Sequence, residues 1–430
     1  MSERNGGNPV RAAGAPVGTQ SVPFGPALPL RARSTRNPWG KLGIPDRPSA
    51  TTRLPRLRTS DSFPFGIEEE FFLIDAETRS VVLTRPPDFL EQLKAVLGGQ
   101  VSSEMLQSQI EISTLPHVDM ATAGAELKHL RQTLASIAAQ YGFAIIAAGT
   151  HPTADWWQAQ PSPGARYDTI MHDLGMIGKR DMLCGLHVHV ELPNGEDRLD
   201  VMCRMLPYLP LFVALSTSSP FWQSQVTGLM GYRLAAYDEL PRTGIPELLR
   251  SREEFDAYIE SLTQAGVIKD SSYIWWAIRP SQRHPTLELR APDSCTFVED
   301  SVAIAALYRA LARRLCRDPM HNCDLTAVQR AVIIENKWRA QRYGIHGTFA
   351  DDRGRGALTV SDLLDEVLDA VLPDAEELGC ADEVLRCLSI VNDGTSADIQ
   401  LAIFEEQVKS KGPTHALTAV TDWLAAATLQ

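Results

Sequence analysis

Four short stretches of this chain alternate, with period two, between apolar side chains and side chains that ligate metals or phosphate. In FGIEEEFFLID, Glu68 and Glu70 share one face, while Ile67, Phe71 and Leu73 share the other. In QIEIST, Gln109 and Glu111 oppose Ile110 and Ile112. In GLHVHVEL, His187 and His189 oppose Leu186, Val188 and Val190, and in TLELRAPD, Glu288 and Arg290 oppose Leu287 and Leu289. Successive side chains of a β-strand point to opposite faces, so each stretch reads as a strand with one face in a core. A solvated face is ordinarily filled with Lys, Thr and Ser. Acids, imidazoles and a guanidinium are instead the donor set of a hard, oxygen-preferring divalent cation beside a phosphate. The expectation is a metal–nucleotide site on one face of an antiparallel sheet.

The rest of the chain supplies material to cover the other face. Residues 1–61 are rich in Pro, Gly, Ser and Arg, nearly free of acids and without sustained periodicity, so they are expected to be a disordered basic leader. They lack the apolar core of a secretory signal, and their prolines and glycines spoil the amphipathic helix of an organellar transit peptide. The body, residues 62–430, begins with a strand over 63–75 and a helix starting near Pro86 and Pro87. Strands near 100–104 and 108–114 follow, then a long helix from Asp119, a plausible N-cap, to Tyr141. FAIIAAG and GLHVHVEL are buried strands, 198–218 is a helix, and WWAIRP and TLELRAP form a hairpin about an SQRHP turn. From Val298 onward the chain reads as helix after helix. The fold class is α+β: a sheet first, helices on its apolar face, and a helical C-terminal part.

Composition removes several function classes. With 430 residues, 44% of them hydrophobic and 22% charged, the chain can build a large core. A net charge of −12 opposes a dedicated nucleic-acid binder, because a phosphate polymer would be repelled. A small anion stays compatible if a cation and local arginines reverse the field. Seven cysteines, an odd number with no CxxC, point to a reduced, cytoplasmic protein. The most apolar run, LPYLPLFVALSTSSPFW, is interrupted by Pro207, Pro210 and Pro220 and reads as core, so no membrane association is expected.

Two carboxylates two apart on a strand, Glu68 and Glu70, project side by side and repel unless a cation sits between them. Glu69 points the other way, either to the sheet edge or to an arginine. An HxH pair such as His187 and His189 also begins zinc hydrolases, but Glu68, Glu70, Glu111 and Glu288 in company suit magnesium or manganese better. Glu288 and Arg290 read either as a ligand beside a phosphoryl-binding cation or as a cross-strand ion pair. Arg279 either clamps an anion or caps the hairpin. In NKWRAQRYG, Asn336, Arg339 and Arg342 share a helix face that either contacts nucleotide phosphates or is simply solvated. Neither a GxxxxGKS loop nor a dinucleotide fingerprint is present.

Taken together, FGIEEEFFLID, QIEIST, AAGTHP, GLHVHVEL, WAIRPSQRHPTLELRAPD and NKWRAQRYG resemble, in order and rough spacing, the bacterial carboxylate–amine ligases of the glutamate–cysteine ligase type 2 family. The resemblance covers about residues 63–430, and some motifs are also similar to those of glutamine synthetase. It implies a curved antiparallel sheet forming a funnel, backed by helices. It places Glu70 and Glu111 at one metal ion and Glu68, His187 and Glu288 at another, with ATP phosphates between. Arg290 then meets the transferring phosphoryl group, and Arg279 and Arg342, with Asn336 and Arg339 on the same helix face, contact nucleotide or substrate. Arg166, Tyr167 and His189 lie by the amino-acid pocket. The chain departs from the family pattern at Glu191, a candidate acceptor for the amine proton, and in its long leader. The implied reaction joins a carboxylate to an amine through an acyl phosphate, with ATP and Mg2+ or Mn2+, the γ-carboxyl of glutamate and cysteine being the family default. A metal-dependent hydrolase working without ATP and a non-catalytic nucleotide sensor remain alternatives. Partners are small molecules of the amino-acid class, and the oligomeric state, a homodimer among the options, stays open.

Overall fold

The four alternating stretches become neighbouring strands. The computed structural model describes residues 62–351 and 354–430; the leader expected over residues 1–61 lies outside them. The main sheet contains β1 (Phe65–Asp75), β2 (Val101–Ser103), β3 (Gln109–Ser113), β4 (Phe143–Ile146) and β5 (Leu186–Glu191). Two short strands, β6 (Phe221–Trp222) and β7 (Gln225–Val226), pair apart from it before β8 (Ile278–Pro280) and β9 (Thr286–Leu289) complete it. The order is β2-β3-β1-β5-β9-β8, antiparallel throughout, with β4 paired to the far end of β1. β1 is central because it pairs on both edges: β3 on one, β5 and then β4 on the other.

Ile67, Phe71, Ile110, Ile112, Val188, Leu287 and Leu289 are fully buried on the apolar face. Two helices, Met120–Gln140 and Val298–Arg317, pack on that side. The first starts where expected: the Asp119 carboxylate accepts the Thr122 backbone N–H at 2.7 Å and so satisfies one of the helix's unpaired donors. The second is buried along most of its length, with Ala303, Ala306 and Ala310 admitting close neighbours, so it runs through the molecule rather than over it. Glu69 is resolved here as well. It projects into this apolar layer, fully buried, and meets the equally buried Arg131 of the first helix in a two-pronged ion pair.

Two expectations need correction. The helix expected over 198–218 is two α-segments, Arg198–Met205 and Leu209–Ser216, joined by a 3-10 turn at Leu206–Tyr208. Pro207 and Pro210 remove backbone donors there. Arg198–Ser216 taken together is long and apolar enough to cross a membrane, yet 83% of its most apolar window is buried inside the protein. The part after Val298 is not wholly helical either: β10 (Thr348–Asp351) and β11 (Gly356–Thr359) form a hairpin between helices Ala327–Tyr343 and Val360–Glu377. Its strands are four residues each and half polar, too short for alternation to stand out in the sequence.

Candidate functional site

Strand register assembles the polar faces. Glu68 sits opposite His187, Glu70 opposite Glu111, and His189 opposite Glu288, which in turn sits opposite Arg279. Directly opposed residues of antiparallel strands share a face, so pairing alone gathers these side chains. Gly66, opposite His189, adds no side chain and leaves that place open. The result is a cavity of about 360 Å3, the size of a small-molecule site.

Within it, Glu68, Glu111 and His187 each offer a ligand atom, all within 4.8 Å of one another, and so do Glu70, Glu104 and Glu111. Glu111 belongs to both groups, so the two lie side by side. Ser102 Oγ donates to Glu111 Oε1 at 2.7 Å, and the Gly185 N–H donates to Glu70 Oε2 at 2.6 Å, which fixes both carboxylates. A side chain at Gly185 would collide with the buried Arg233 guanidinium, itself tied to the carbonyls of Arg290, Ala291 and Pro292. His187 supplies the clearest sign of a missing partner. Both its ring nitrogens are buried and make no hydrogen bond among the described residues, while lying 3.5 Å from Glu68 Oε2 and 3.6 Å from Glu70 Oε1. An imidazole with two orphaned nitrogens between carboxylates fits a divalent cation.

The charges tell the same story. Burial first, then the charges of Glu68 and Glu70, push the Glu111 carboxyl up to about 8. Glu104 is raised by burial and by Glu111 and Glu70, and Asp181 to about 8 by burial and Glu70. Burial acts to raise Glu68 too, but His187 and His189 outweigh it and hold that carboxyl well below its ordinary range. A cation among these groups would relieve the repulsion.

Glu288 stands apart from both ligand groups. Arg279 Nε donates to its Oε2 at 2.8 Å and Arg279 Nη2 to its Oε1 at 3.1 Å, and Arg290 Nη1 also reaches Oε1. Burial would raise this carboxyl, yet the two guanidinium groups hold it well below the ordinary value. The structure therefore joins Glu288 to the arginines, where the resemblance had joined it to Glu68 and His187. His189 Nδ1 contacts Thr286 Oγ1 at 2.8 Å, with Nε2 3.4 Å from Glu68 Oε1. Arg166 and Tyr167 line the same cavity: Arg166 lies over the Tyr273 ring and bonds Ser272, and the Tyr167 hydroxyl donates to the Ser103 carbonyl.

Four sequence candidates do not line it. Glu191 ends β5, half-buried, its backbone N–H donating to the Pro64 carbonyl. Asn336 instead holds the β10–β11 hairpin, bonding both the N–H and the carbonyl of Ala350. Arg339 bonds the Thr348 carbonyl and hydroxyl, and Arg342 lies over the Tyr343 ring. That face is occupied by structure, which one helical spacing could not distinguish from an anion contact. Conversely, sequence reasoning missed Glu104, Asp181, Arg233 and Tyr237, all of which line the cavity. Glu104 and Asp181 sit in loops and the other two on the short helix Tyr232–Tyr237, so no strand alternation marked them.

Residues 64–418 match the family model described as glutamate-cysteine ligase family 2. A relative from Bradyrhizobium diazoefficiens, provisionally named glutamate–cysteine ligase 2, is 53% identical over 367 residues, covering 85% of this chain and 84% of its own. Another, from Rhodospirillum rubrum and named alike, is 42% identical over 375 residues, covering 86% and 96%. A solved glutamate–cysteine ligase from Francisella tularensis, in complex with AMP, has a TM-score of 0.62 at 13% identity, covering 85% of this chain and 89% of that one. A bifunctional glutathione synthetase from Pasteurella multocida has a TM-score of 0.63 at 14% identity; 86% of this chain matches 53% of that one, so this chain spans about half its length. At those identities the two structures show a shared fold. The chain belongs to glutamate-cysteine ligase family 2.

Proposed function

We propose that this member of glutamate-cysteine ligase family 2 is an ATP-dependent ligase that joins a carboxylate, the γ-carboxyl of glutamate, to an amine, cysteine being the first to test. The observation that carries the reading is the pair of acid groups sharing Glu111, with the orphaned nitrogens of His187 beside them and Arg279 and Arg290 across the cavity. A carboxylate does not condense with an amine at neutral pH because oxide is too poor a leaving group. A substrate carboxylate oxygen attacks the γ-phosphorus of ATP, ADP leaves, and an acyl phosphate forms. The amine nitrogen then attacks the carbonyl carbon, and inorganic phosphate leaves.

Mg2+ or Mn2+, held by Glu68, Glu111 and His187 and by Glu70, Glu104 and Glu111, would neutralise phosphate oxygens and so permit transfer between anions. The chain's own residues do the rest. Arg290, whose guanidinium is held charged despite burial by Tyr237 and Glu288, stabilises the phosphoryl group in transfer. Arg279 and Glu288 fix its orientation. Arg166 and Tyr167 bound the substrate side. Since Glu191 lies off the cavity, Asp181 on the cavity wall is the acceptor for the amine proton; burial and Glu70 keep it protonated near neutrality, so it would serve once a bound cation offsets the charge of Glu70. Seven free thiols and a need for ATP suit the cytoplasm, and the substrates are small molecules.

The test is an amino-acid panel assayed for ADP release with Mg2+, followed by mass spectrometry of the product. Oxygen-18 in the substrate carboxylate is expected to appear in inorganic phosphate. Unlabelled phosphate would exclude the acyl phosphate, AMP and pyrophosphate release would mean adenylation, and turnover without nucleotide would mean a hydrolase.

A further inference from the structure

We propose that Glu69 and Arg131 form a register lock: a positioning pair that decides which of three consecutive glutamates reach the metal face of β1. This rests on the reading of Glu68, Glu70 and Glu111 as metal ligands. Residues 68–74 of β1 are three acids followed by Phe-Phe-Leu-Ile, so this run carries acids on both faces and then apolar groups on both faces. A slip of one residue sends every side chain of a strand to the opposite face. In this strand the slipped pairing would still bury Phe71, Phe72, Leu73 and Ile74 and still offer the cavity a glutamate. It would offer one, Glu69, in place of two.

Phe65 and Ile67 already favour one register at the start of the strand, and Arg131 enforces it at the acids. Its guanidinium is 1% exposed and is held from segments other than β1: Nη2 donates to the Cys295 carbonyl at 2.8 Å, and Nη1 to those of Thr296 at 2.8 Å and Thr428 at 3.1 Å. The fork left over meets Glu69, Nε to Oε2 at 2.7 Å and Nη2 to Oε1 at 2.6 Å, and Ser301 Oγ also donates to Oε1. Slipping β1 would withdraw the carboxylate from a buried cation and drive Glu68 and Glu70 into the core beside it. An unpaired buried charge is strongly destabilising, and fixing register is the best-attested use of a buried polar pair.

The test is Mn2+ binding to the full chain without nucleotide, followed by calorimetry and by the paramagnetic resonance of free Mn2+, with thermal melting alongside. The double variant Glu69→Leu/Arg131→Met removes both charges together, so neither stays buried alone. It is expected to melt within about 5 °C of the parent, because apolar replacement of a buried pair is often neutral, and to bind Mn2+ roughly tenfold or more weakly, as loss of outer support for metal ligands does. Should that variant fail to fold, Arg131→Lys carries the test: it keeps the charge but loses the fork, and weaker Mn2+ binding is expected at a retained melting temperature. A folded variant that binds Mn2+ as tightly as the parent overturns the lock and leaves the metal site standing. A parent that binds no Mn2+ overturns the metal reading, and the lock with it.

Discussion

Glu111 belongs to both ligand groups, so it feels the repulsion of the site most directly. Its carboxyl is pushed up to about 8 by burial and by Glu68 and Glu70, against an ordinary 4.5. Without metal the folded protein therefore keeps a proton that the unfolded chain loses above pH 4.5. The associated stability is fully present below pH 4.5 and is lost as pH rises towards about 8. Melting in the presence of a chelator should show this decline, and Glu111→Gln should flatten it. At Arg290, substitution by Lys keeps a charge but loses the planar fork; kcat should fall roughly a hundred- to a thousandfold with the amine KM little changed. Asp181→Asn should lower kcat while Mn2+ affinity holds, which separates a proton acceptor from a ligand. The pairs two apart on strands were legible because a strand repeats every two residues. Glu104 and Asp181 were not, since loops carry no period, and the partner of Glu69 was not, because Arg131 lies 62 residues away on a helix.

Secondary elements were legible where their own residues set them and illegible where a neighbour did. Asp119 announces the helix Met120–Gln140 because capping is a local act. The stripe Asn336, Arg339 and Arg342 shows the opposite case: helical spacing says these residues share a face but not what meets it. In the fold Asn336 and Arg339 meet the β10–β11 hairpin, where Asn336 completes the hydrogen bonding of Ala350 as a third strand would, while Arg342 lies over the Tyr343 ring. Asn336→Ala would hand both groups of the exposed Ala350 to water and should cost ~0.5–1.5 kcal/mol per lost bond in denaturant unfolding, with kcat unchanged. A large kcat loss at full stability would instead return this face to the nucleotide.

At the scale of the molecule, metal binding should act on the whole fold. The ligands come from β1, the segment carrying Glu104, β3 and β5, and an ion that binds only when these meet stabilises the native state by about 2.7 kcal/mol at a hundredfold excess over its Kd. Addition of Mg2+ should raise the melting temperature of the parent but not of Glu68→Gln/Glu70→Gln. The strand order has a further consequence in time. β1 is complete by Asp75, whereas β9 and Arg290 lie more than two hundred residues later, and the helix Val298–Arg317 that backs them later still. A nascent chain on the ribosome thus carries Glu68 and Glu70 long before it owns Arg279 and Arg290, the two guanidinium groups that Glu288 receives. A chain stopped short of Arg290 already holds Arg166, Arg233 and Arg279 of the cavity wall but not the guanidinium that Glu288 receives from its own strand, so synthesis finishes the acid face before the last cation that answers it.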